Sequence, residues 1–514
     1  MIATNIRRLS VYLVLAFASV AGALGWWQVL DAQRLATRPD NPQVIAAHRS
    51  LPRGSIFDAR GQLLASSVVL DGVSTRTYAD PAFSHVIGYA SLRFGTTAVE
   101  AAWDDLLTGR TDPNPLRDLL NDILARQPDP HDLTLTIDRR LQDFAAAQLG
   151  SNVGAVVAID PRTGAILAIV SSPSYDATGF SGNPDTAQAA FDAVLGRDGN
   201  PLLDRTRRGH YVPGSIMKVL TAAAALDAGA ITPETTFPDQ PQQEVDGFVV
   251  SGFTIREHDL GSITPELWPL SPALQVSSNI FFAHVGLEIE ANRYLDYARR
   301  FGLCAGLRIG SGERGLAVDA SHVSARTDAG CAPFVDDVEL ASAAFGQGRV
   351  SVTPLQMALL AATIANDGVV PHPFVVRDLR THAASPLDGP TATVLETYGA
   401  DGGNRAISSQ AAAQVRSAMI DAVEGPIGRR FAGAGAVTRY GVSGTQTAGK
   451  TGTAERGPGL APHSWFIGFA PAQDGSAPTI AIAVIVEGGG SGSGHAAPIG
   501  GAVMAEWLKL TGGA

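Results

Sequence analysis

Residues Leu9 to Leu30 read LSVYLVLAFASVAGALGWWQVL, a run without a single charged side chain. At about 22 residues it makes a helix of roughly 33 Å, enough to cross the hydrocarbon core of a bilayer. That run sets the frame for the rest of the chain, which must lie on one side of a membrane. Arg7 and Arg8 precede it, and Trp26 and Trp27 stand at its far end, where an aromatic belt belongs. The positive-inside rule then keeps residues 1–8 in the cytoplasm, makes 9–30 a single-pass anchor in the cytoplasmic membrane, and exports the remainder. A cleaved signal peptide ending near Ala21-Gly22-Ala23 is the alternative. The apolar run continues past that point, so an uncleaved anchor is expected.

A chain of 514 residues is too long for one ordinary core and implies several domains. Its net charge of −11 repels phosphate, which argues against nucleic acid as a partner. No Cys/His cluster has zinc spacing, so no metal is expected, and no cofactor motif is identified. Cys304 and Cys331 can pair as a disulfide outside the cytoplasm; two buried free thiols are the other reading. Positive charge is carried almost wholly by Arg, because Lys218, Lys450 and Lys509 are the only lysines. Arg stays protonated, whereas a desolvated Lys can lose its proton near neutral pH.

Beyond the anchor, residues 31–132 hold short strand and turn patterns around Gly54 and Gly61, with one helical pattern over Ala98–Leu107. The segment suits a small β-rich pedestal. From residue 133 to 514 the pattern tightens. LTLTID alternates as a strand, RRLQDFAAAQL has helical period, and GAVVAIDPRTGAILAIVSSPSY reads as a hairpin turning at Pro161–Gly164. Helices are expected over Ser215–Ala228, Pro272–Ile289 and Pro354–Asn366. AGKTGTA, SWFIGFAP and TIAIAVIVEGG read as three strands, GGGSGSG (Gly488–Gly494) as a flexible loop, and AAPIGGAVMAEWLKL as a closing helix. The expected fold is α/β (α+β): an antiparallel sheet flanked by helices.

Three motifs carry chemistry. In Ser215-Ile216-Met217-Lys218 the amine lies one helical turn from the hydroxyl. A serine is a poor nucleophile until a base takes its proton, and a buried Lys near another cation can be that base. In Ser277-Ser278-Asn279, a hydroxyl could relay a proton and an amide could hold Lys218 and a substrate amide. In Lys450-Thr451-Gly452-Thr453 on an edge strand, Lys450 and Thr451 could bind a carboxylate, and Gly452 would admit a substrate backbone. The backbone N–H groups of Ser215 and Thr453 could form an oxyanion hole. Each motif alone is weak. The set, in this order, is the one that marks active-serine penicilloyl enzymes.

Gly444 to Thr451 also matches the phosphate-loop pattern G-x-x-x-x-G-K-[ST]. That loop must enter a helix, and the following GTAERGPGLAPHS is too rich in Gly and Pro to start one. Nucleotide is therefore not expected as a ligand.

The chain resembles the class B penicillin-binding proteins over nearly its whole length. Arg53-Gly54-Ser55-Ile56-Phe57-Asp58 with Gly61 resembles their pedestal motif; PLLDRTRRGHYVPGSIMKVLTAAAAL, FGQGRVSVTPLQMALLAATIANDG and AGKTGTAE are similar to their catalytic stretches. The resemblance implies a transpeptidase fold, with a D,D-transpeptidase cross-linking peptidoglycan stem peptides through a Ser215 acyl-enzyme. It implies Lys218 as acylation base, Ser277 and Asn279 as relay, and Lys450, Thr451 and Thr453 as the binders of terminal carboxylate and carbonyl oxygen. It further implies inhibition by β-lactam antibiotics and, with no glycosyltransferase segment in the chain, a separate membrane glycan polymerase as partner. Ile216 departs from the small or Thr residue common there. A D,D-carboxypeptidase or serine β-lactamase on the same fold is the nearest rival. A non-catalytic sensor is disfavoured by the few residues before the anchor, and a degenerate scaffold by the intact motifs.

Overall fold

The computed structural model describes residues 2–30, 53–70, 73–111, 113–124, 129–261, 263–310, 312–382, 393–399 and 402–512. The expected stretch 31–52 lies outside the described residues. At the amino end, Ile2–Gly25 is α-helical and continues as a π-helical turn over Trp26–Leu30. Among the described residues, Asn5–Gln28 is the one helix long and apolar enough to cross a membrane, with a mean hydropathy of 1.8.

The central sheet has five antiparallel strands in the order Ala448–Ala454, His463–Ala470, Ile480–Val486, Gly154–Ile159, Ile166–Ser172. The run IAIAVIV shows why both faces are covered. Ile480, Ile482, Val484 and Val486 pack into one apolar cluster with the closing helix Ala496–Leu510 and with Arg139–Leu149. Ala481, Ala483 and Ile485 point the other way, into the larger core. There Pro354–Ala365 crosses beneath the sheet with all its residues buried. A helix apolar on every side is stable only when it is enclosed on every side. Thr353 caps its start, its hydroxyl accepting from Gln356 N at 3.3 Å, and Pro354 occupies the first turn, where no N–H is needed.

A second sheet of six strands runs Val394–Thr397, Val376–Thr381, His131–Leu135, Ile56–Phe57, Leu63–Leu70, Val73–Tyr78. Only Ile56–Phe57 against His131–Leu135 is parallel. This sheet takes strands from both sides of position 132, since Val376–Thr381 returns to pair with His131–Leu135. Gly54 is required here because a Cβ would meet His131 O at 1.7 Å. Beside it, Glu100 is fully buried and takes Arg53 (Nη2, 2.8 Å) and Arg76 (Nε, 2.7 Å), while Asp104 takes Arg53 Nη1 at 2.5 Å. The helical pattern over Ala98–Leu107 resolves into two short helices, Ala98–Ala102 and Asp104–Leu107, with Trp103 between them. A disulfide joins Cys304 and Cys331, whose Cα atoms are 5.0 Å apart.

Candidate active site

Ser215 sits where two elements meet. The helix expected over Ser215–Ala228 begins instead as a 3-10 turn, Gly214–Met217, and becomes α-helical at Lys218–Asp227. Ser215 therefore does not cap the helix, and no side chain does. Its hydroxyl is left free of backbone duty and faces the Lys218 amine, with Nζ 3.1 Å from Oγ. Gly214 makes the turn possible: its φ is +58°, and a Cβ would come within 2.8 Å of Thr453 O. The turn thus lies directly against the Ala448–Ala454 strand, at the edge of the sheet.

The helix expected over Pro272–Ile289 is broken. Leu270–Val276 ends at Ser277, which adopts the left-handed conformation (φ 64°, ψ 37°), and Asn279–Ile289 starts afresh with Ser278 as its cap. A left-handed non-glycine residue costs on the order of 1–3 kcal/mol and persists only where its surroundings enforce it. Here the break turns Ser277 and Asn279 toward the amines. Ser277 Oγ lies 2.9 Å from Lys450 Nζ and 3.3 Å from Lys218 Nζ. Lys218 Nζ also donates to the Ser277 carbonyl and to Asn279 Oδ1 at 2.8 Å. Lys450 Nζ makes its other bond to Thr451 O at 3.0 Å.

Both amines are almost wholly buried. Burial pushes Lys218 down to about 7, with the Glu257 carboxylate opposing the shift. Burial first and Lys218 second push Lys450 well below its ordinary range. Two ammoniums bridged by one hydroxyl repel each other in a medium that solvates neither well. The Ser277 carbonyl and Asn279 Oδ1 can only accept, so they take the two hydrogens of a neutral amine. The lone pair that remains is available to the Ser215 hydroxyl.

Thr451 is buried on the same strand and Thr453 is exposed beside the turn. Gly452 lies between them, and a Cβ there would meet Pro213 O at 2.8 Å and Ile216 Cγ2 at 3.1 Å. The site thus brings together Ser215, Lys218, Ser277, Asn279, Lys450, Thr451, Gly452 and Thr453. Gly488–Gly494, expected as a flexible loop, is instead tied along this strand. Ser491 O accepts from Ser464 Oγ at 2.8 Å, and Gly492 N donates to Thr453 Oγ1 at 3.4 Å. The phosphate-loop pattern ends in a strand that runs on to Ala454, not in a helix. No group of three or more His, Cys, Asp or Glu among the described residues could hold a metal.

Two carboxylates escaped the sequence reading. Glu257 accepts from Asn279 N (2.8 Å), Ile280 N (3.2 Å), Ser278 Oγ (2.8 Å) and its own neighbour His258 (Nδ1, 2.8 Å). Glu244 Oε1 stands 2.8 Å from the same Ser278 hydroxyl.

An active serine, a low-pKa amine one turn away and a second amine on the adjoining edge strand define an acyl-transfer enzyme working through a serine ester. Comparison with known proteins agrees. Residues 154–505 match the penicillin-binding protein transpeptidase domain, and residues 53–132 match the penicillin-binding protein A dimerisation domain. Peptidoglycan D,D-transpeptidase PbpA of Mycolicibacterium smegmatis is 34% identical over 98% of this chain and 99% of its own length. Its counterpart in Mycobacterium tuberculosis H37Rv is 35% identical, again over 98% and 99%. Penicillin-binding protein A from M. tuberculosis, solved as its penicillin G acyl-enzyme complex, superposes with a TM-score of 0.74 at 34% identity, covering 89% of this chain and all of that one. The chain belongs to the class B penicillin-binding proteins and is a serine-type D,D-transpeptidase.

Proposed function

We propose that the protein cross-links peptidoglycan from the outer side of the cytoplasmic membrane, held there by the N-terminal helix, with residues 31–132 as pedestal and 133–514 as the catalytic unit. Ser215 Oγ attacks the carbonyl carbon of the penultimate D-Ala of a stem peptide while its proton passes to Lys218. The carbonyl oxygen, now negative, is held by the N–H groups of Ser215 and Thr453; one such donor is typically worth about 3 kcal/mol. The C–N bond then breaks, and the terminal D-Ala leaves as an amine that takes up a proton through Lys218 and Ser277. Asn279 keeps Lys218 in place, and Lys450 with Thr451 holds the terminal carboxylate. The amine of a second stem peptide attacks the ester, forms the cross-link and returns a proton to Ser215. A separate membrane polymerase supplies the glycan strands.

The contact that supports this reading most directly is the buried Lys218 amine 3.1 Å from Ser215 Oγ. β-Lactams would acylate the same oxygen. Incubating the full chain in detergent with benzylpenicillin should add one adduct mass, located on Ser215 and persisting for many minutes. Ser215→Ala should take up none. Labelling that survives this substitution refutes the nucleophile, and rapid turnover of the adduct favours a β-lactamase.

A further inference from the structure

The Ser277-Ser278-Asn279 segment holds its reactive shape through two carboxylates outside the three motifs, Glu257 in a loop and Glu244 in the short helix Gln240–Asp246. Glu257 stands at the start of the Asn279–Ile289 helix, almost wholly buried, and receives five donors, two of them from His258. Its carboxylate ties the backbone of Asn279, the residue whose side chain accepts from Lys218. The Asn279 amide is fixed from the other end, where Nδ2 donates to Arg256 O at 3.3 Å. Asn279 is thereby clamped at both its backbone and its side chain by the adjacent pair Arg256-Glu257.

Ser278 decides the charge of the pair. Its hydroxyl has one hydrogen, yet Glu244 Oε1 and Glu257 Oε2 both lie 2.8 Å from it, and it already accepts from Phe281 N at 3.1 Å. One hydrogen cannot serve two carboxylates, so one of the two must carry a proton and donate it. Glu257 has three backbone N–H groups, those of His258, Asn279 and Ile280, and the His258 ring aimed at it, all of which favour the anion. Glu244 has only the neutral donors Gln240 Nε2 (2.9 Å) and Trp268 Nε1 (3.0 Å). The proton therefore rests on Glu244, and the order is Glu244–OH to Ser278–OH to Glu257 carboxylate. Burial raises the Glu244 carboxyl, while Glu257 is held down to about 2: burial opposes this, and His258 and Lys218 outweigh it.

We infer that Glu257 is the positioning residue and anionic counterweight of the Ser215–Lys218 pair, with Glu244 as a neutral acid that completes its hydrogen bonding through Ser278. Lys218 is faced by Lys450 from the edge strand and by Glu257 from the 253–258 segment. Glu257 is faced in turn by Lys218, His258 and the protonated Glu244. Two amines share one anion, so the site has room for about one positive charge. Glu257 sets the pH at which Lys218 becomes a base, and it does so without touching substrate.

The inference rests on the proposal that Lys218 deprotonates Ser215, and its test separates the two. The rate of Ser215 labelling by a fluorescent penicillin is followed from pH 5 to 9 in the full-length protein. Any labelling lost with Ser215→Ala reports the nucleophile alone. Glu257→Gln keeps the shape and removes the charge, so the acid limb of the profile should move down by roughly one pH unit. Glu244→Gln replaces a neutral acid with a neutral amide and should leave the limb where it is. A solely structural role for Glu257 would lower the rate equally at every pH and leave the limb fixed, which overturns the inference. So does a limb displaced equally by Glu244→Gln. If Glu257→Gln fails to fold, Glu257→Asp, which withdraws the charge by one methylene, should move the limb the same way by less. No movement there is equally fatal.

Discussion

Two cationic pairs in this molecule are built on opposite plans. In the region of residues 53–132, Arg53 and Arg76 close on Glu100, with Asp104 as a second carboxylate. In the active site, Lys218 and Lys450 close on a hydroxyl, and the nearest anion, Glu257, is reached through Asn279 and Ser278. The first pair closes directly on carboxylates and uses the side chain that cannot lose its proton. The second is left short of anions and uses the side chain that can. Burial alone does not make a group reactive; burial without enough countercharge does, provided the group has a neutral form to retreat to. A chain with only three lysines that buries two of them in one pocket has kept the deprotonatable cation for chemistry.

The comparison can be broken from either side. Lys218→Arg puts a permanent cation where a base is needed; penicillin labelling of Ser215 by the folded protein should slow by about 1,000-fold, and the melting temperature should fall because the guanidinium is buried short of countercharge. A labelling rate near that of the parent would mean that Lys218 is not the base. Glu100→Gln removes the anion from the pedestal pair and leaves two buried guanidiniums with Asp104 alone. It should lower unfolding stability by about 3 kcal/mol while folded protein still labels at the parental rate. A loss of labelling without a loss of stability would couple the pedestal to the active site in a way the two separate clusters do not provide.

Much of the active site was legible because its residues sit in fixed spacings. Ser215 and Lys218 are one turn apart, and Lys450-Thr451-Gly452 fits an edge strand with no room for a side chain at its third position. TIAIAVIV and the closing helix were likewise readable as elements, though the burial of that strand on both faces was seen only in the structure. What was hidden depends on the fold. Ser277 breaks a segment whose sequence supports continuous helix, because tertiary contacts to two amines outweigh local propensity there. Glu257 lies 22 residues before Asn279, and Glu244 lies 34 before Ser278. A lone carboxylate has no periodicity that distinguishes it among 49 acidic residues. The return of Val376–Thr381 to the pedestal sheet was invisible for the same reason, since nothing local to that strand names its partner. The loop at Gly488–Gly494 looked free by composition, yet Gly492 lies against the Lys450–Thr453 strand, where a Cβ would meet Gly452 O at 2.8 Å.

The most direct test is the pH dependence of Ser215 acylation in the unaltered protein. Lys218 must be neutral to accept the serine proton, and it is pushed down to about 7, so the protonated form prevails below that pH. The acylation rate by benzylpenicillin should fall about tenfold for each unit below pH 7 and level off above it. A rate constant that stays flat from pH 5 to 9 would contradict a neutral buried amine as the base.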